Sequence, residues 1–349
     1  MSLNSPRALD APVSAAGGRR GRSLRRDGLV LLVVTAVAAL VPYILPSAQQ
    51  AVAVRILIFA LMALGWNLMS GFGGMFSFGH AAYFGIGAYA DTYLLVNHGI
   101  SPWIGMVIGA VLAGAVAALT GFLAFRYKVR GAYFALATFA FAEMLRLLAA
   151  NTTVVNGAVG YRVPLLPEQS WWMLQFDAGA PEYYWIGLAL VALAVLVTLL
   201  YLRSRSGRFT VAIRDDEDAA ESLGVAVMRY KLTTMALSGA ITALAGAFYA
   251  QYYLFVDPDI AFGQQQSIQA ILPAVVGGVG TVWGPLVGAV ILGPLSDVSA
   301  TLLRTPPEFL SFLQGRNGLD VMLYAVILIG IVLALPKGLY GTLRDRWRS

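Results

Sequence analysis

His80 and His98 are the only histidines in a chain of 349 residues that contains no cysteine. Zinc, iron–sulfur and thiol chemistry therefore lack their usual ligands and nucleophiles. The other candidates for chemistry are ionisable residues inside long apolar runs: Asp91, Glu143, Arg146 and Asp297. Such residues are costly at membrane depth and usually functional. Glu143 and Arg146 stand three apart, one above the other on a helix, and are expected to neutralise each other near the end of their run. Asp91 and Asp297 are expected close enough to the outer interface to be hydrated. The scattered carboxylates among them do not make the series that a proton or sodium relay requires. The sequence has no G-x-x-x-x-G-K-[ST] phosphate loop, no G-x-S-x-G elbow and no H-E-x-x-H pair. ATP hydrolysis and nucleophilic or metal-dependent catalysis are thus not expected of this chain itself.

The elements that must hold these residues follow from composition. Hydrophobic residues make up 58% of the chain and charged residues only 12%, where a soluble domain carries about 25% charged. Apolar segments near 29–45, 53–69, 75–96, 102–125, 132–149, 184–202, 232–254, 266–280, 284–300 and 318–335 each approach the roughly 20 residues that cross a bilayer. The expected fold class is all-α, a polytopic transmembrane helical bundle of about ten spans over residues 28–340. The segment 266–280 is the short one. The net charge of +6 does not point to nucleic acid, because the basic residues lie between apolar spans rather than on one face with aromatics.

Residues 1–27 are rich in Arg, Ser, Gly and Pro and are expected to be a disordered basic tail. The run after it is longer than a signal-peptide core and reads as an uncleaved first span. An N-terminus placed inside puts most of the 24 Lys and Arg on the cytoplasmic side, in the tail, at 126–131, at 203–231 and beyond Pro336. That is the arrangement the positive-inside rule selects. Both termini, including a short tail at 341–349, would then be cytoplasmic. Loop 150–183 and segment 255–265 would face the periplasm, with Trp171, Trp172, Tyr183, Tyr184 and Trp185 in the interfacial belt.

Two stretches place glycine pairs beside small polar residues at a membrane boundary, 70–90 and 274–290, with Gly73, Gly74, Ser77 and Gly79 in one matching Gly277, Gly278, Thr281 and Gly284 in the other at nearly the same spacing. Small residues suit close helix packing. They also suit a broken helix whose free backbone lines a cavity, since irregular backbone at membrane depth survives only against protein or water. Ser77, Phe78, Gly79, His80 and Tyr83 are the residues expected to line a translocation path, Gly79 by allowing close approach. A packed, neutral His80 is the plainer alternative.

The longest polar run, 203–231, carries its acids together at Asp215, Asp216, Glu217 and Asp218. A negative first turn complements the free N–H groups of a helix start, so a helix of about two turns is predicted from there, with Asp215 or Asp216 as N-cap and Gly224 as the stop. Ala219, Ala220 and Leu223 would form its small apolar face. It reads either as a solvated loop with one helical turn or as a docking helix for a soluble partner.

Four stretches, SFGHAAYFGIGAYA at 77–90, GAYFALATFAFAEMLR at 131–146, AIRDDEDAAESLGVAVMRYKLTTMALSGAITALAGAFYA at 212–250 and ILPAVVGGVGTVWGPLVGAVIL at 271–292, together resemble the permease subunits of bacterial branched-chain amino acid ABC importers, the LivM family. The resemblance implies an ABC importer permease architecture in the bacterial inner membrane. It implies as partners a homologous second permease, two ABC ATPase subunits that carry ATP and Mg, and a periplasmic substrate-binding protein, with no cofactor in this chain. It places Arg214, Asp215, Asp216, Ala219, Ala220, Leu223 and Gly224 in the segment that couples permease to ATPase. The expected function is import of branched-chain amino acids; urea and short-chain amide permeases are similar enough to be the alternative. A self-sufficient channel or carrier and a membrane-embedded transferase are the rivals from other classes, and the second needs a reactive cluster the sequence lacks.

Overall fold

The computed structural model describes residues 24–166, 168–177, 179–304, 338–340 and 342. In chain order the helices are α1 (Leu24–Ala38), α2 (Val41–Ile44), α3 (Ser47–Trp66), α4 (His80–His98), α5 (Pro102–Arg126), α6 (Ala132–Asn151), α7 (Pro181–Arg203), α8 (Arg205–Asp215), α9 (Glu217–Ser222), α10 (Val227–Tyr253), α11 (Pro258–Phe262), α12 (Gln264–Gly277) and α13 (Gly284–Arg304). Proline starts α5 and α7, where its missing N–H costs nothing and its fixed φ suits the first turn. The all-α expectation needs one amendment. β1 (Tyr161–Arg162) pairs antiparallel with β2 (Phe255–Val256), tying loop 150–183 to the end of α10.

Among the described residues, six helical segments are long and apolar enough to cross a membrane: Asp27–Ile44, Gln49–Phe72, Pro102–Arg126, Ala132–Asn151, Pro181–Arg203 and Val227–Tyr253. α4 is not among them, for a packing reason. It sits against α5 and α10 with His80, Tyr83, Phe84, Asp91 and Thr92 all buried, and a helix surrounded by protein does not need a lipid-compatible surface. α12, at 14 residues, rises only about 21 Å, short of the roughly 30 Å core. It folds back on α13 as a hairpin. The expected span 318–335 and the tails 1–23 and 343–349 lie outside the described residues. α1 already begins at Leu24, inside the stretch expected to be disordered.

The centre of the bundle is α10. Added Cβ atoms at Gly87 and Gly246 would stand 2.1 Å from the Ala243 carbonyl oxygen and 2.0 Å from that of Phe84, so α4 and α10 cross backbone to backbone, as small residues permit in membranes. Phe84, Phe248, Leu61 and Leu64 fill the core that α3, α7 and α10 share. α1 lies to one side on α7, held by Tyr184 and Trp185 donating to the carbonyls of Ala38 and Ala39 and by the Arg203–Asp27 ion pair at 2.5 Å. α5 and α6 leave Val107, Val111, Tyr133 and Leu136 exposed, apolar surface for lipid or another chain.

Candidate functional site

The polar run between α7 and α10 holds two helices where the sequence suggested one. Ser204, in extended conformation, ends α7, and its Oγ accepts from Gly207 N at 3.1 Å, capping α8. In the sequence, the basic residues and single Thr, Val and Ile of α8 read as loop. Its tertiary contacts decide the matter: Thr210 Oγ1, Tyr201 Oη and Thr234 Oγ1 form a closed triangle of 2.8, 2.8 and 3.1 Å, and Phe209 packs on Tyr230. Asp216, at φ −157°, is the one residue between α8 and α9. Its Oδ1 accepts from Ala219 N at 2.9 Å, so Asp216 is the N-cap and Asp215 closes α8 instead.

α9 stops as expected at Gly224, which sits at φ +80° while Val225 N donates to Ala220 O, the bonding of a glycine-terminated helix. The predicted apolar face is a different matter. Ala220 alone is buried; Ala219 is exposed and Leu223 is 84% exposed. A six-residue helix has room for only one inward position, and here charges anchor the rest. Glu217 takes Lys231 Nζ at 2.6 Å and Arg130 at 3.3 Å, and Asp218 takes Arg130 at 3.5 Å. α9 is thereby clamped to the α5–α6 loop and to α10, with Leu223 pointing away. A groove of about 670 Å³ opens beside it, lined by Phe122, Glu221, Val225, Met228, Arg229 and Leu232.

Arg214, in the last turn of α8, reaches the opposite way. Its Nη1 donates to Gly71 O at 3.1 Å, while Nε and Nη2 grip Asp215 Oδ1 at 3.1 and 2.8 Å. Gly71 belongs to a widened last turn of α3, Asn67–Phe72, after which the helix breaks and α4 begins at His80; the expected span 75–96 thus starts five residues late. Asn67, fully buried, joins this break to the second Gly-rich stretch: its Nδ2 donates to Thr281 O and its Oδ1 accepts from Gly280 N, both at 2.8 Å. The two stretches with similar glycine spacing therefore meet in space, at the end of the bundle that carries α9. Nothing in the sequence singled out Asn67.

The five path candidates sit around the first break. Ser77 accepts Trp66 Nε1 at its carbonyl, 2.8 Å, and Gly79 N at its Oγ, 3.1 Å. Phe78 N donates to Thr138 Oγ1, and Gly79 approaches the Thr138 carbonyl so closely that a Cβ would lie 2.4 Å from it. His80 meets Ser238 Oγ at 3.0 Å, and Ser238 in turn donates to Gly65 O at 2.7 Å. The Ser238 proton is committed to Gly65, so His80 Nε2 is the donor and the bare Nδ1 has no partner among the described residues. Tyr83 Oη lies 3.3 Å from Thr120 Oγ1. Ser77, Gly79, His80 and Tyr83 are buried within this chain; Phe78 is half-buried, and its neighbour Phe76 is 41% exposed.

The ionisable residues in the spans divide. Glu143 and Arg146 pair at 2.6 Å as expected, and Asp259 of α11 joins them at 2.5 Å. Asp91, expected to be hydrated, is instead completely buried, with Oδ2 accepting from the buried Gln251 Nε2 at 2.5 Å. The close packing of Gly105, whose Cβ would lie 2.4 Å from Asp91 Oδ1, closes it off from water. The side chain of Asp297 lies outside the described residues. Among the described residues no three His, Asp or Glu side chains are grouped to hold a metal.

Residues 50–338 match a family profile described as branched-chain amino acid transport system / permease component. The chain is 32% identical to the high-affinity branched-chain amino acid transport system permease protein LivM of Escherichia coli over 84% of this chain and 72% of the relative. It is 27% identical to LivH of the same organism's system over 81% of this chain and 91% of the relative. An L-arabinose ABC transporter permease protein, AraH of Azospirillum brasilense, is 26% identical over 93% and 92%. No solved structure matches the chain.

Proposed function

Because the chain belongs to the branched-chain amino acid transport permease family and is LivM-like, we propose that it is one permease of a heterodimeric, ATP-driven importer of branched-chain amino acids. A LivH-like second permease completes the membrane pair. Of the pair's two ATPase subunits, which bind the ATP and Mg, one docks at α9 of this chain, and a periplasmic binding protein delivers the solute at the opposite end. In this reading the chain crosses the inner membrane ten times with both termini cytoplasmic, and the α9 end faces the cytoplasm.

The observation that carries the proposal is the pose of α9. A two-turn helix clamped to the bundle by Arg130 and Lys231, with Leu223 exposed and a groove lined by Phe122, Val225, Met228 and Leu232 beside it, supports docking of a partner there. Rigid attachment lets a push on α9 move the bundle. The path itself is read as running past Phe78 and Phe76, with Ser77, Gly79, His80 and Tyr83 bracing that wall from within. An apolar wall with few charges suits an aliphatic solute already selected by a binding protein.

Uptake of labelled leucine, urea and L-arabinose into proteoliposomes holding the full complex tests the reading. ATP-dependent leucine uptake that disappears without this chain is the expected result. Urea or L-arabinose uptake in its place would overturn the substrate assignment, and flux through this chain alone, without ATPase subunits, would overturn the ATP-driven reading.

A further inference from the structure

Three chain discontinuities meet at the α9 end of the bundle: the break from α3 to α4, the turn from α12 to α13, and the single extended residue between α8 and α9. Helix breaks leave backbone groups without intrahelical partners, and here side chains satisfy them. Asn67 bridges the α3 end to the α12–α13 turn through Gly280 N and Thr281 O. Arg214 supplies a donor to Gly71 O from α8.

The space for that guanidinium is shaped by glycine. Gly74, at φ +70°, would place a Cβ 2.6 Å from Arg214 Cγ, and Gly280, at φ +72°, would place one 3.4 Å from Arg214 Nη1 and 3.3 Å from Gly71 O. A Cβ at Gly71 would stand 2.1 Å from Asn67 Oδ1 and 2.7 Å from Gly280 N. At the other edge Asp215 holds the same guanidinium with two bonds, and Asp216 then caps α9. From the start of α9 to the cradle is a path of three consecutive residues.

We propose that Arg214 is the positioning residue that carries movement of α9 to the inner ends of α3 and the α12–α13 hairpin, its planar fork joining Gly71 to Asp215 across the Gly71–Gly74–Gly280 cradle. The proposal rests on α9 being the docking helix. A guanidinium serves here because one side chain can donate to a carbonyl and a carboxylate in fixed relative geometry, which a flexible ammonium does not reproduce. The junction contains no continuous helix and is held by side-chain bonds, so it can exchange one arrangement for another without unwinding a span.

The test uses the complete complex in proteoliposomes and reads solute imported per ATP hydrolysed, a ratio that mere loss of folded protein does not change. Arg214→Gln is expected to retain the ATPase subunits on purification while the ratio falls at least tenfold, with Arg214→Lys recovering part of it. A ratio within twofold of the native complex in Arg214→Gln overturns the proposal. Should Arg214→Gln fail to assemble, Val279→Cys, 46% exposed in an otherwise cysteine-free chain, provides a second measurement in the native background and in Arg214→Lys. Nucleotide is expected to change its maleimide labelling at least fivefold in the first and clearly less in the second; equal changes in both overturn the proposal. Leu223→Asp separates the two readings. If it still binds the ATPase subunits normally, the docking reading fails; if it loses them while Arg214→Gln keeps the native ratio, docking stands and this inference falls.

Discussion

Leu223→Asp places a charge on the one large apolar residue that α9 turns away from the bundle. In the free chain Leu223 is 84% exposed and its neighbour Ala220 makes the inward contact, so stability is expected to change by no more than about 0.5 kcal/mol. A partner that covers Leu223 gains the burial still available to it, about 1.5–2.5 kcal/mol. At about 1.4 kcal/mol per tenfold, losing that weakens docking by about ten- to sixty-fold, and the cost of covering a carboxylate adds to it. The assay is a titration of the ATPase subunit against the permease pair in nanodiscs, read as the midpoint of stimulated ATP hydrolysis, beside thermal unfolding of the same preparation. An unchanged midpoint with unchanged melting would refute the assignment of α9 as the docking element. A large drop in melting temperature would show instead that Leu223 serves the fold.

Gly224→Pro cannot adopt the φ of +80° found at the end of α9; it is expected to leave the chain inserted in the membrane but to abolish stimulated ATP hydrolysis, measured on the complex. The buried Asp91–Gln251 pair gives a double-mutant cycle: Gln251→Leu strands Asp91 at a cost of about 1–3 kcal/mol, whereas Asp91→Leu with Gln251→Leu is expected to be more stable than Gln251→Leu alone, and thermal unfolding in detergent that finds the two losses simply additive would count against the pairing. Gly246→Ala forces a methyl group toward the Phe84 carbonyl, 2.0 Å away before relaxation, and is expected to lower stability by about 1–3 kcal/mol in the same assay, with no loss meaning that α4 and α10 do not cross so closely.

Features that depend on local pattern were legible from the amino-acid order alone. Long apolar runs with few charges fold as helices in lipid, because their backbone groups must be satisfied internally, and the six segments among the described residues that are long and apolar enough to cross followed from that. A cap at Asp215 or Asp216 and a stop at Gly224 were legible because capping is local chemistry between residues three or four apart; the choice of Asp216 followed from α8 ending at Asp215. The Glu143–Arg146 pair was legible for the same reason; its third member, Asp259, over a hundred residues away, was not.

Features that depend on distant neighbours emerged only from the packing of the helices. α8 is held because Thr210 finds Tyr201 and Thr234 across helix boundaries; its own eleven residues show only the three-residue spacing of the buried Gly207, Thr210 and Ile213, which does not name those partners. Asp91 was expected in water because its position along the span suggested an interface; whether water reaches it was settled by Gln251 and Gly105 on other helices. The likeness of the two Gly-rich stretches was visible as spacing, but their meeting through Asn67 and Arg214 required the fold, since 213 residues separate Asn67 from Gly280. Periodicity and caps report a residue's own helix, whereas burial, ion pairing and the joining of two helix breaks are properties of whichever helices pack beside it.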